Sequence, residues 1–204
     1  MSEYWRQLWQ RVRGSRNGSS SEGVVEGFIG ADLAGLQRTD DFFRFFHFES
    51  IGVEKAYPDG DEVIAFKPSG PAFRGLVTLH SWVSHGIIRT VRLSVKRSFI
   101  DDPATCVYAA DLYNSFLRRV GDVSPGDAID AFANEITARS MARSSRPVLT
   151  AQPPPQASGE PSPACRAYIG QAEAENLDYR SGRLRLVARN DDGEFEILVW
   201  PEPR

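Results

Sequence analysis

The sequence predicts an α+β fold: a two-layer sandwich of an antiparallel sheet covered by helices, with an added C-terminal β-hairpin and a tethered N-terminal amphipathic helix. Three observations carry this. Residues 50–100 hold two runs of strand-type alternation, each broken by a tight-turn signal. Residues 102–143 hold two amphipathic helices with proline in their first turns. Residues 183–200 repeat the hairpin pattern.

Composition bounds what such a fold can be. Of 204 residues, 41% are apolar and 25% charged, enough to bury one sizeable core. A net charge of −3 argues against a nucleic-acid partner, because such domains are usually strongly basic. The two cysteines, Cys106 and Cys165, lack CxxC spacing and fit a reducing compartment rather than a disulfide scaffold. No apolar run reaches the ~18 residues of a membrane-spanning helix. Arg6, Gln7, Gln10 and Arg11 interrupt any secretory-signal core. The expected location is cytoplasmic, with peripheral attachment at the inner membrane through the N-terminus.

Two linkers set the organisation. Residues 1–13 form the amphipathic docking helix, 14–23 a Gly/Ser-rich flexible linker, and 24–143 the α+β body. Residues 144–163 are a Pro-rich linker and 164–204 a C-terminal β unit. In the body, Asp32–Phe46 reads as one helix ending in a phenylalanine cluster. A hairpin follows, Ser50–Tyr57 with Glu62–Lys67, over Pro58-Asp59-Gly60-Asp61. A second pairs Leu76–Ser84 with Ile87–Ile100 over His85-Gly86. Asp102-Pro103 and Ser124-Pro125 start the two closing helices. In the C-terminal unit, Arg166–Ala172 is a candidate strand. Arg183–Arg189 and Glu194–Trp200 form a hairpin that sets Arg189 opposite Glu196. The order helix, strands, helices resembles that of small chaperone-type α+β sandwiches such as type III secretion chaperones, a likeness of element order without a shared motif.

The N-terminus carries the functional expectation. Trp5, Leu8, Trp9 and Val12 fall at i, i+3, i+4 and i+7, one helical stripe, with Arg6, Arg11 and Arg13 on the remaining surface. Residues 1–16 hold Arg6, Arg11, Arg13 and Arg16 against Glu3, about +3 in a chain of −3. Two indoles on one face and a cationic flank suit an anionic membrane surface or a groove on a partner protein. A helix this short draws its stability from whatever it docks on.

Reactive constellations are sparse. His47 reads as a core-edge residue and His85 as a turn residue. His80, Trp82 and Arg89 share one face of the second hairpin and form a candidate binding face. No HExxH, CxxC, GxSxG or phosphate-binding glycine motif occurs, so neither a metal nor a cofactor is expected and no catalytic residue is assigned. Cys106 with His80 is a conceivable nucleophile pair, but Cys106 falls on an apolar helix stripe. Arg118, Arg119, Arg139, Arg143 and Arg146 suggest a basic edge where the closing helices end. The expected function is a non-catalytic accessory or adaptor protein of a bacterial assembly, docked through residues 1–13. The alternatives are a chaperone-like protein that binds a client, with homo-oligomerisation, and a small enzyme with its site near His80, Trp82 and Arg89.

Overall fold

A computed structural model describes residues 27–120, 127–144, 159–171 and 177–202. Its centre is a seven-stranded antiparallel sheet of order β1-β2-β3-β4-β7-β6-β5. The strands are β1 Phe48–Ala56, β2 Asp61–Pro68, β3 Val77–Ser84, β4 Ile87–Lys96, β5 Leu177–Ser181, β6 Leu184–Asp191 and β7 Glu194–Pro201. Two meanders, β1–β4 and β5–β7, join edge to edge where β4 pairs with β7 from Val91↔Val199 to Lys96↔Glu194. The C-terminal hairpin therefore extends the sheet of the body.

The helices are α1 Leu33–Thr39, α2 Asp41–Phe45, α3 Pro71–Arg74, α4 Arg97–Asp101, α5 Cys106–Val120, α6 Ala128–Arg143 and α7 Pro163–Tyr168. Their buried side chains and one sheet face form a single core that includes Phe28, Phe42, Phe66, Leu93, Phe116, Ile136 and Ile197. The apolar stripe expected on α5 is buried as predicted, from Cys106 through Val120. Tyr113 donates a hydrogen bond to the Phe195 carbonyl. Its ring meets Tyr168 and Phe195 edge-on at 5.5 and 5.4 Å, tying α5, α7 and β7 together. Burying each such ring contributes roughly 2–3 kcal/mol.

Several elements differ from the sequence reading. The predicted helix over Asp32–Phe46 is two helices, because Asp40 adopts an extended conformation and accepts a hydrogen bond from Phe42 N at 2.9 Å. A side chain that caps a second helix ends the first. His47 lies outside the phenylalanine core, exposed in a turn at φ 49°, and Phe45 is exposed too. The return strand of the second hairpin stops at Lys96, and Phe99 reaches the core from α4. Asp127 caps α6 through Ile129 N; Ser124 lies outside the described residues.

The expected strand over Arg166–Ala172 is not seen among its described residues, 166–171, which continue a helix and a turn; Ala172 lies outside the described residues. Ser162 caps α7 and Pro163 occupies its first turn, the same Ser-Pro start signal. The sequence reading also passed over β5, which pairs Leu177–Ser181 with β6. The docking helix at 1–13, the linker at 14–23 and residues 145–158 of the Pro-rich linker lie outside the described residues.

Candidate functional site

All of the helix-side apolar residues of the sheet point one way, so alternate residues of each strand form a second, helix-free face among the described residues. The β3–β4 register decides who stands there. His80 pairs with Arg92, Trp82 with Thr90, and the ladder shifts between Trp82 and Val83. That irregularity leaves one extra residue, Arg89, in β4 between the partners of Val83 and Trp82. Arg89, expected on the face of His80 and Trp82, is exposed outside the ladder; Thr90 stands opposite Trp82 and Arg92 opposite His80. His80 and Trp82 do share the face, with ring centroids 6.5 Å apart.

A polar network crosses this face. Arg92 lies 3.0 Å from His80 Nδ1 and 3.6 Å from the Glu196 carboxylate. Glu196 also accepts hydrogen bonds from Ser94 at 2.9 Å and from Arg189 at 2.8 Å. Arg189 reaches on to Asp191 at 2.6 Å. The expected Arg189–Glu196 pair is thus present, but as the middle of a longer chain of charges.

His80 Nε2 lies 3.2 Å from half-exposed Glu54. Burial, then the positive charges of Arg92 and Lys67, nevertheless pull the His80 pKa down to about 3. Solvent around Glu54 weakens its opposing attraction. The ring is therefore neutral near pH 7 and accepts the Arg92 hydrogen bond.

Beside the network runs an apolar strip. Val63, Trp82, Val187, Leu198 and Trp200 form a second buried cluster with Tyr57 against it. The Arg92 and Arg185 guanidinium groups lie over Trp82 and Trp200 at 5.8 and 5.6 Å. Arg185 in turn holds Asp178 at 2.8 Å. Trp200, Leu198 and Arg92 were not singled out from sequence as site residues. The signal was there: Ile197–Trp200 is an unbroken apolar run, the pattern of a strand buried on both faces.

The other candidates are occupied structurally. Cys106 is buried in the helix layer, where its thiol donates to the Ser140 carbonyl at 3.3 Å, with the sheet between it and His80. Burial raises its pKa, and raises that of buried Cys165 to about 12, so both remain thiols. The basic edge does not assemble. The Cys106–Ser140 contact sets the start of α5 beside the end of α6, which puts Arg118–Arg119 and Arg139–Arg143 at opposite ends of the pair.

Arg119 is paired with Asp40, Arg139 donates to the Gly159 carbonyl at 2.9 Å, and Arg143 to that of Asp101 at 3.0 Å. Arg146 lies outside the described residues. A cleft of about 390 Å³ between α6, α7 and β5 is lined by Phe132, Glu135, Ser162 and Tyr179. Its one deep carboxylate, Glu135, accepts hydrogen bonds from Ser162.

Among the described residues no group of three His, Cys, Asp or Glu side chains has the arrangement of a metal site. No described helix is long and apolar enough to cross a membrane. Comparison with known proteins finds no match for this chain among protein-family models, curated proteins or solved structures.

Proposed function

We propose that the protein is a non-catalytic adaptor of a larger assembly, held on a membrane surface or a partner protein by the basic amphipathic segment of residues 1–13. The docking half of this reading rests on the sequence stripe Trp5, Leu8, Trp9 and Val12 with its flanking arginines; the non-catalytic half is supported by the closure of the Glu54–His80–Arg92–Glu196–Arg189 network on a sheet face. Each of these groups is engaged by a neighbour, and His80 is held neutral by burial. Such a face contributes stability and a shaped surface, whereas acid–base or nucleophilic chemistry needs a group aimed at a substrate. The enzymatic alternative required His80, Trp82 and Arg89 to converge, and Arg89 stands outside the ladder.

Docking is tested with the whole chain. In flotation with phosphatidylglycerol-containing vesicles, the intact protein is expected to rise with the lipid. A Trp5→Ala/Trp9→Ala variant is expected to stay behind. Binding should weaken with salt, because the arginines act over roughly one Debye length, about 10 Å at 0.1 M. Pull-down from cell lysate, run in parallel, covers the partner-protein arm. Identical behaviour of the two chains in both assays overturns the reading.

A further inference from the structure

The two edges of the sheet are built differently. β1 carries two irregularities, between Ser50 and Gly52 and between Val53 and Lys55, and Gly52 stands at φ 118°. Bulges of this kind twist an edge away from further pairing. β5 forms the other edge. It pairs residue for residue with β6, from Leu177↔Ala188 to Ser181↔Leu184, without a shift. This edge is short but regular.

The neighbouring strands fix where its backbone groups point. Successive residues of a strand turn their N–H and C=O groups to alternate sides. Glu202 N donates to the Arg183 carbonyl at 2.7 Å, so Arg183 faces β7 and Leu184 faces β5. Leu184, Leu186 and Ala188 therefore exchange hydrogen bonds with Ser181, Tyr179 and Leu177. The N–H and C=O groups of Asp178 and Arg180 are left pointing out of the sheet. Among the described residues no group beyond the ladder bonds to them. Both residues are exposed. Leu177 and Tyr179 pack against the helix-side core, so the side chains of Asp178 and Arg180 share the helix-free face.

We propose that β5 is the interface for a second copy of this chain, the two β5 strands pairing antiparallel about a two-fold axis at Tyr179. Such an interface uses one patch twice. With the axis at Tyr179, Asp178 stands opposite Arg180 of the second copy, and Arg180 opposite its Asp178. Each pair exchanges both backbone bonds, so every outward N–H and C=O of β5 is used. The charges match in the same register, because both cross-strand pairs set a carboxylate against a guanidinium. An axis at Asp178 or at Arg180 would instead set like charges opposite each other.

The helix side supplies apolar contact. The cleft opens along the same edge, with Leu177, Asp178 and Tyr179 on one wall and Ala128, Ala131 and Phe132 on the other. The Tyr179 ring lies parallel to Phe132 with centroids 5.8 Å apart, so Tyr179 of each copy meets the other from a rigid aromatic backing. β1 lacks this combination of regular register and matched charge.

Sedimentation velocity of the intact chain tests the interface. The mean coefficient should rise from the monomer to the dimer value between about 1 and about 200 μM protein. Asp178→Arg alone, or Arg180→Asp alone, should raise the dimer dissociation constant about tenfold or more, because each turns two attractive pairs into two repulsive ones. An equimolar mixture of those two variants should dimerise again, since a mixed pair places arginine opposite aspartate at both positions. Arg180→Pro removes an outward N–H and no bond of the β5–β6 ladder. It should abolish the dimer and leave the circular-dichroism spectrum unchanged.

A chain that stays monomeric at the highest concentration overturns the proposal, as does a dimer that all three variants leave intact. A mixture that stays monomeric while the intact chain dimerises overturns the axis at Tyr179. Docking through residues 1–13 is read separately by flotation. A monomer that floats with vesicles loses the β5 interface and keeps the adaptor role, and a dimer that does not float does the reverse.

Discussion

His80 shows how one residue's surroundings set its chemistry. It lies on the helix-free face with Arg92 against Nδ1, Lys67 nearby and Glu54 at the rim. Its pKa of about 3 lies below the ordinary 6.5, so folding discriminates against the protonated ring. Between those values the unfolded chain binds the proton and the folded chain does not. Stability therefore falls as pH drops through that interval, by at most about 1.4 kcal/mol per pH unit. Urea midpoints should decrease from pH 7 to pH 5, a range in which most carboxylates stay ionised. His80→Gln should flatten that dependence; an unchanged slope would place the titrating group elsewhere. Glu196 has the complementary role, since removing it would leave Arg92 and Arg189 close together without their shared carboxylate.

At the scale of elements, ends matter more than interiors. Asp40 closes α1, caps α2 and pairs with Arg119 of α5, so one short side chain sets the angle at which the phenylalanine-bearing turn meets the core. Asp40→Ala should lower stability by about 1–2 kcal/mol in urea unfolding, the usual worth of such a cap. Asp40→Asn should recover most of this, because an amide oxygen still accepts from Phe42 N. Equal losses for the two variants would show that the charge, not the cap, is what α2 needs. The turns follow the same logic. His85 and Gly86, like Asp192 and Gly193, adopt positive φ, the geometry that suits a two-residue hairpin loop. Both hairpins were legible in the sequence because this local chemistry is decided within four residues.

For the whole molecule, the β4–β7 pairing joins early and late parts of the chain in one sheet over one core. Unfolding in urea should therefore follow a single transition. Helix signal by circular dichroism should coincide with fluorescence from the tryptophans, Trp82 in the first meander and Trp200 in the second. Separate midpoints would show that the β5–β7 half folds independently. The sequence by itself determined the α+β class, three of the four strand hairpins' worth of pattern in β1–β4 and β6–β7, and the buried stripe of α5. Period, caps and turn residues are local, and each can be read within a short window. Only the tertiary structure decided that the C-terminal hairpin completes the same sheet, that Arg89 is the one extra residue of β4 and stands outside the ladder, and that Trp82 and Trp200 form one strip. The first and last depend on pairing between residues about a hundred positions apart, and the second on a register shift inside one hairpin; in each, register and partner are chosen by packing rather than by neighbouring sequence.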